Sequence, residues 1–115
     1  MNTKALAKQA QNSKEEAYVQ LDKTQIYRIG VGARVNPPST SSFFMEVVIK
    51  LSAENDEVDL QRLENTLACL KALKARGYTL TYENGNCISC ETTIAVQHPK
   101  EEYQAIKAVM QEAHL

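Results

Sequence analysis

The chain repeats one order of segments: two short runs in which apolar and polar residues alternate, then one run with helical spacing. The first copy extends from about Ile26 to Arg76 and the second from Tyr78 to the C-terminus. Alternation is typical of a strand buried on one face, and apolar spacings of three and four are typical of an amphipathic helix. Because such a helix buries its stripe against another layer, the order predicts an α+β fold, a two-layer sandwich with a ββαββα pseudo-repeat.

Four strands are expected, in segments 25–35, 43–51, 78–83 and 86–96. Asn84-Gly85 favours a tight hairpin between the last two, because both residues tolerate positive φ. The second and fourth strands are richer in β-branched residues, which favours central positions for them. We therefore expect a four-stranded, mainly antiparallel sheet in the order 1-2-4-3, with two helices on one face.

Five leucines at helical spacing define one apolar stripe on the expected first helix. They are Leu60, Leu63, Leu67, Leu70 and Leu73. Asp56 is expected to cap the N-terminus of this helix, and Gly77 to follow its C-terminus. Pro99 suits the first turn of the second helix.

The N-terminal segment, residues 1–20, has helix-favouring composition but few apolar residues. Ser13 and Glu16 have the spacing of a capping box, which predicts a short N-terminal helix that presents Ala17, Tyr18 and Leu21. The alternative is a tail that becomes ordered only against a partner. Residues 21–115 are expected to form a single α+β domain.

Charge and composition narrow the class of protein. The net charge of −1 lacks the basic excess of a dedicated nucleic-acid binder, so nucleic acid is not an expected partner. No segment has the apolar length of a signal core or a membrane span, so no membrane association is expected. Three cysteines without a secretory signal indicate a reduced, cytoplasmic protein.

The sheet face away from the helices combines apolar and charged side chains, which is typical of a moderate protein interface. Its candidate residues are Ile26, Arg28, Arg34, Phe44, Val48 and Lys50. The leading hypothesis is a small interaction module that forms a homo-oligomer through this face or through an edge strand. An alternative is weak single-stranded nucleic-acid binding by the three cations with Phe44.

The first alternative to self-association is a zinc or thiol site at Cys87 and Cys90, with His98 as a third ligand. The C-x-x-C spacing suits it, but no second pair of cysteines or histidines completes four ligands. Residues three apart on a regular strand also point to opposite faces. We therefore expect ordinary strand cysteines, with Cys90 buried, and no cofactor.

Gly30 and Gly32 form a G-x-G sequence inside the first expected strand. A dinucleotide site needs that sequence between a strand and a helix, whereas another strand follows here. The glycines are therefore interpreted as a bulge or a close backbone approach, and the alternative is a ligand or a partner strand that passes near them.

An active site within one chain is not expected. The only histidines are His98 and His114, which lie next to a proline and next to the C-terminus. Neither position suits a buried general base, and most carboxylates fall in expected caps and loops. A site shared between two subunits of a dimer is left open.

Overall fold

The computed structural model describes residues 17–36, 40–52, 57–92 and 95–115. In these ranges the chain forms five strands and two helices. They are β1 (Ala17–Lys23), β2 (Tyr27–Asn36), β3 (Thr40–Lys50), α1 (Leu60–Ala75), β4 (Tyr78–Glu83), β5 (Cys87–Thr92) and α2 (Pro99–Glu112). Within the same ranges, neither helix has the length and apolar character that a bilayer crossing requires.

The strands form one antiparallel sheet in the order β1-β2-β3-β5-β4. The α+β class and the two helices are confirmed, and the four expected strands have the expected relative order. The four-stranded sheet is wrong, because β1 adds a fifth strand beside β2. With three strands before α1 and two after it, the halves are unequal, and the ββα pseudo-repeat is not confirmed.

Strand β1 occupies residues where a short helix was expected. Tyr18 lies opposite Gly32 and Val19 lies opposite Val31, so β2 provides the pairing that replaces helical hydrogen bonds. Helix propensity is a weak preference that such tertiary pairing overrides. Ser13 and Glu16 lie outside the described residues.

The predicted turns agree with the backbone. Asn84 and Gly85 have φ values of 54° and 77°, so both central residues of the β4–β5 hairpin are left-handed. Gly77 has a φ of 96° immediately after the C-cap of α1. Asp59, rather than Asp56, caps α1, and its carboxylate accepts a hydrogen bond from the backbone N–H of Arg62 at 3.0 Å. Asp56 lies outside the described residues.

One face of the sheet packs against both helices and forms the core. Strand residues Ile29, Val47 and Cys90 are completely buried there, together with Ile106 and Met110 of α2. Helix α1 packs against β4, β5 and α2, and α2 packs against β3. The result is the expected two-layer arrangement, and in the described part of the chain no helix covers the opposite sheet face.

Helix α1 buries a different stripe from the predicted one. Its buried residues are Thr66, Cys69 and Leu73, so Leu73 alone among the five leucines is fully buried. Leu70 is partly buried against the core, while Leu60, Leu63 and Leu67 are exposed. The single buried leucine stripe is therefore wrong, because the helix turns another set of residues with the same spacing toward the sheet.

Candidate binding surfaces

The sheet face without helices, called the open face below, carries the predicted interface residues or lies beside them. Arg28 lies opposite Val48, and Phe44 lies opposite Gly32, so β2 and β3 bring these side chains together. Phe44 and Val48 are only 7% and 4% exposed. Two of the three apolar residues of the predicted interface are therefore already covered within one chain.

Phe44 fills a space that Gly32 provides. A Cβ atom at Gly32 would collide with the Phe44 ring, so the ring lies directly over the glycine backbone. The Arg34 guanidinium lies 4.1 Å from the centre of that ring and donates a hydrogen bond to Glu91 at 2.7 Å. A cation stacked on the ring occupies the face that a nucleic-acid base would use.

Tyr18 makes the corresponding contact at Gly30. Its ring crosses from β1 over the glycine, where a Cβ atom would meet it, and its hydroxyl donates to Glu46 at 3.5 Å. Burial, with a smaller contribution from Glu46, raises the pKa of Tyr18. The close approach expected at the G-x-G sequence is thus made by two aromatic rings of the same chain.

The C-x-x-C pair is divided between the two faces of the sheet. Cys87 lies opposite Lys50 at the open face, whereas Cys90 lies opposite Val47 and is completely buried in the core. Burial raises the pKa of Cys90 to about 12 and that of the buried Cys69 to about 11. The described residues contain no group of three His, Cys, Asp or Glu side chains placed to hold a metal ion.

His98 lies at the N-cap of α2, away from both cysteines, and its side chain makes no capping hydrogen bond. It borders a depression of about 380 Å³ beside a polar network. There Glu102 accepts hydrogen bonds from Arg76 at 2.7 Å and from the Tyr78 hydroxyl at 2.8 Å. Burial alone would raise the pKa of Glu102, but these hydrogen bonds outweigh it and lower that pKa. The network joins the end of α1 to the start of α2.

The exposed leucines of α1 form a surface that we call the leucine ridge, defined as Leu60, Leu63 and Leu67. Their exposed fractions are 71%, 38% and 53%. At 100° per residue, the ridge is centred about 120° around the helix from the buried stripe. Cys69 lies at the other border of that stripe, and its Sγ atom is 3.5 Å from the Sδ atom of Met110 in α2. The ridge therefore lies on the flank of α1 away from α2, on the side of β4.

Strand β4 is an outer strand of the described sheet and pairs only with β5. Its six residues, Tyr78–Glu83, keep a regular register with no bulge. Tyr82 shares the helix-side face of the strand with Tyr78 and Leu80, and it is 80% exposed. The ridge and Tyr82 thus place exposed apolar groups along one border of the molecule.

A second concave surface lies where β2 begins and β3 ends. This basic cleft has a volume of about 580 Å³, and its lining includes Lys23, Ile26, Arg28, Val48, Lys50 and Cys87. It contains four of the six predicted interface residues, while Arg34 and Phe44 lie outside it. Sequence reasoning missed Lys23, because its position depends on the unexpected strand β1.

No protein-family model matches this chain, and no curated protein or solved structure matches it either. The features that bear on function are therefore the ridge with β4, the open face and the basic cleft.

Proposed function

We propose that this protein is a small interaction module that works as a homodimer, joined along strand β4 and the leucine ridge. The observation that carries the proposal is the exposure of three leucines on one flank of α1, beside an outer strand. A contiguous row of large apolar side chains at a surface is typical of a protein interface.

The outer strand supports the same border of the molecule. A free strand edge offers unpaired N–H and C=O groups to another strand, and proteins usually guard it with charges, proline or a bulge. Strand β4 contains no charged residue, proline or bulge from Tyr78 to Tyr82, and its first charge is Glu83 at the end of the strand. Its aromatic and β-branched residues favour strand pairing.

A two-fold axis satisfies both features together. An axis perpendicular to the sheet makes β4 antiparallel to the partner's copy of β4 and continues the sheet across the dimer. Because α1 packs over β4, the same axis sets the two α1 helices side by side and antiparallel. Their leucine ridges then face each other.

Charges beside the ridge are self-complementary in that orientation. Glu64 lies near the N-terminal half of α1, and Lys71 and Lys74 lie near its C-terminal end. An antiparallel partner brings each acidic half toward a basic half, whereas a parallel partner would oppose like charges. This charge complementarity favours a second copy of the chain as the occupant of the surface.

The border formed by β4 and α1 is favoured over the open face, the other expected route to self-association. On the open face, Phe44 and Val48 are buried within the chain, and Arg34 is paired with Glu91. A partner there would gain little apolar contact and would have to desolvate ion pairs.

Sedimentation velocity over a range of micromolar concentrations tests the proposal. We expect a dimer for the native chain and a monomer for the double variant Leu63→Lys/Leu67→Lys, because lysines on the ridge would have to be buried against each other. Val19→Lys is the matched control, since Val19 is 39% exposed on the opposite outer strand. A native chain that stays monomeric, or a ridge variant that dimerises as well as the control, contradicts the proposal.

A further inference from the structure

We propose that the basic cleft binds a small organic anion, a phosphate ester or carboxylate whose aliphatic part rests on Val48 and Ile26. The cleft has a volume of about 580 Å³, within the usual range for small-molecule sites. Three of its lining residues are cationic, and no acidic side chain lines it in the described part of the chain.

The sheet register brings two of these cations together. Lys23 of β1 lies directly opposite Arg28 of β2, and like charges at opposed positions of a sheet repel each other. Among the described residues, neither Lys23 nor Lys50 has an ion-pair partner. An anion bound among these three cations reduces the repulsion between Lys23 and Arg28 and supplies a negative partner for Lys23 and Lys50.

Arg28 makes two long ion pairs. Its guanidinium lies 3.9 Å from Glu46 and 3.6 Å from Glu83, and both distances exceed that of a good charged hydrogen bond. The Arg28 side chain is 42% exposed. The guanidinium therefore keeps donors that a ligand anion can use.

The walls of the cleft are held by hydrogen bonds of the Thr24 hydroxyl and of the backbone. The Thr24 hydroxyl accepts hydrogen bonds from the N–H groups of Ile26 and Tyr27, at 3.1 and 3.0 Å, and holds the β1–β2 turn. Lys50 donates its backbone N–H to Ile26 at 2.7 Å, which joins the turn to the end of β3. A preformed site loses less conformational entropy when a ligand binds.

Two cross-strand rows set the shape of the ligand. Arg28 and Val48 form one row, and Lys50 and Cys87 form the next. The side chain of Val48 is nearly buried and gives an apolar floor between cations. A ligand that matches this surface has an anionic group at one end and a short aliphatic group at the other.

Cys87 provides a local reporter of occupancy. It borders the cleft and is partly exposed, whereas Cys69 and Cys90 are completely buried. Alkylation of the native chain by iodoacetamide therefore modifies Cys87 first, and peptide mass spectrometry identifies the modified residue. A ligand in the cleft slows that reaction.

The experiment compares three probes of equal chain length: hexyl phosphate, hexanoate and hexanol. We expect one or both anions to slow the alkylation of Cys87, with an effect that falls as salt rises, and hexanol to have no effect. Protection by only one anion identifies whether phosphate or carboxylate is the ligand group.

Two variants connect protection to the cations. We expect Lys50→Gln to raise the apparent dissociation constant about threefold to fivefold, the effect of one partly exposed charge. Lys100→Gln, an exposed lysine on α2, should leave it unchanged. Equal protection by hexanol, absence of protection by both anions, or equal binding by both variants overturns the proposal. The ridge variant, measured in parallel, separates this result from dimerisation, because the cleft lies on the open face of the sheet whereas the ridge lies on α1, which packs against the other face.

Discussion

The two outer strands of the described sheet, β1 and β4, differ in how well their free edges are protected from pairing with another strand. Strand β1 has an irregular register between Gln20 and Asp22, and its last residues are charged. Asp22 is also tied to α2, since Lys107 donates to its carboxylate at 2.7 Å. Strand β4 is regular, has no such charge before Glu83 and lies beside the leucine ridge. The irregular, charged edge resists pairing, and the regular edge invites it.

This difference assigns separate roles to the two edges. Strand β1 belongs to the stability of one chain, through the Tyr18 ring over Gly30 and the contacts of Lys107. In the proposed dimer, strand β4 mediates association, because its neighbouring apolar side chains would gain burial from a partner. Each fully buried leucine contributes about 1.5–3 kcal/mol, so the ridges of two copies supply enough to offset part of the entropy lost on association.

The largest effect is expected from crowding the two glycine notches on β2. Gly32→Ala should lower the free energy of unfolding by about 1–3 kcal/mol, because the Phe44 ring over it is 7% exposed and has little room to move. Gly30→Ala should cost less, because Tyr18 is 45% exposed and can swing outward. Urea denaturation of both variants measures the difference. Equal losses of stability would contradict the expectation that the Tyr18 ring moves aside more easily than the Phe44 ring.

A smaller effect is expected from acid at β1. The hydrogen bond from Lys107 lowers the pKa of Asp22 from its ordinary value of 3.8. The stabilisation is therefore complete above that value and is lost as pH falls through the lower pKa of the folded chain. Because the pair is partly exposed, the loss should be about 1 kcal/mol or less.

Thermal unfolding between neutral and acidic pH, with Asp22→Asn as the comparison, measures this contribution. The variant should lose part of the acid sensitivity and keep the part from Glu102, whose pKa is lowered as well. If native and variant chains show the same slope below pH of about 4, Asp22 does not anchor β1.

The smallest effect is expected from the charges beside the ridge. Glu64→Lys should weaken the dimer by about 0.2–1 kcal/mol for each pair, because it opposes lysines across the two-fold axis. The double variant Glu64→Lys/Lys71→Glu should restore association, since it exchanges the two signs. Sedimentation at low salt measures both. A double variant as weak as the single one would argue against antiparallel α1 helices.

The sequence was most informative where a local pattern determines structure by itself. Alternation identified β2 to β5, and the positive φ values at Asn84, Gly85 and Gly77 follow from residue types that tolerate them. Strand β1 was missed because its short segment contains Gln20, Asp22 and Lys23, and its pairing with β2 is a long-range effect that composition does not reveal.

The leucines show why the binding surface was harder to predict. Thr66, Cys69 and Leu73 have the same helical spacing as the residues of the predicted leucine stripe. Periodicity therefore could not tell which of the two stripes faces the sheet. Two neighbouring apolar stripes make a helix apolar over a wide arc, and that width was the available signal of a second contact. The open face was misjudged in burial because Gly30 and Gly32 admit rings that cover it.

Hydrogen exchange of the backbone amides at low and high protein concentration tests the difference between the two edges most directly. The proposed dimer predicts that protection of residues 78–83 increases with concentration, while protection of residues 17–23 does not change. The ridge variant Leu63→Lys/Leu67→Lys should abolish the increase. Protection of β4 that is independent of concentration, or a concentration-dependent increase at β1 instead, would contradict the assignment of β4 as the edge that joins two copies.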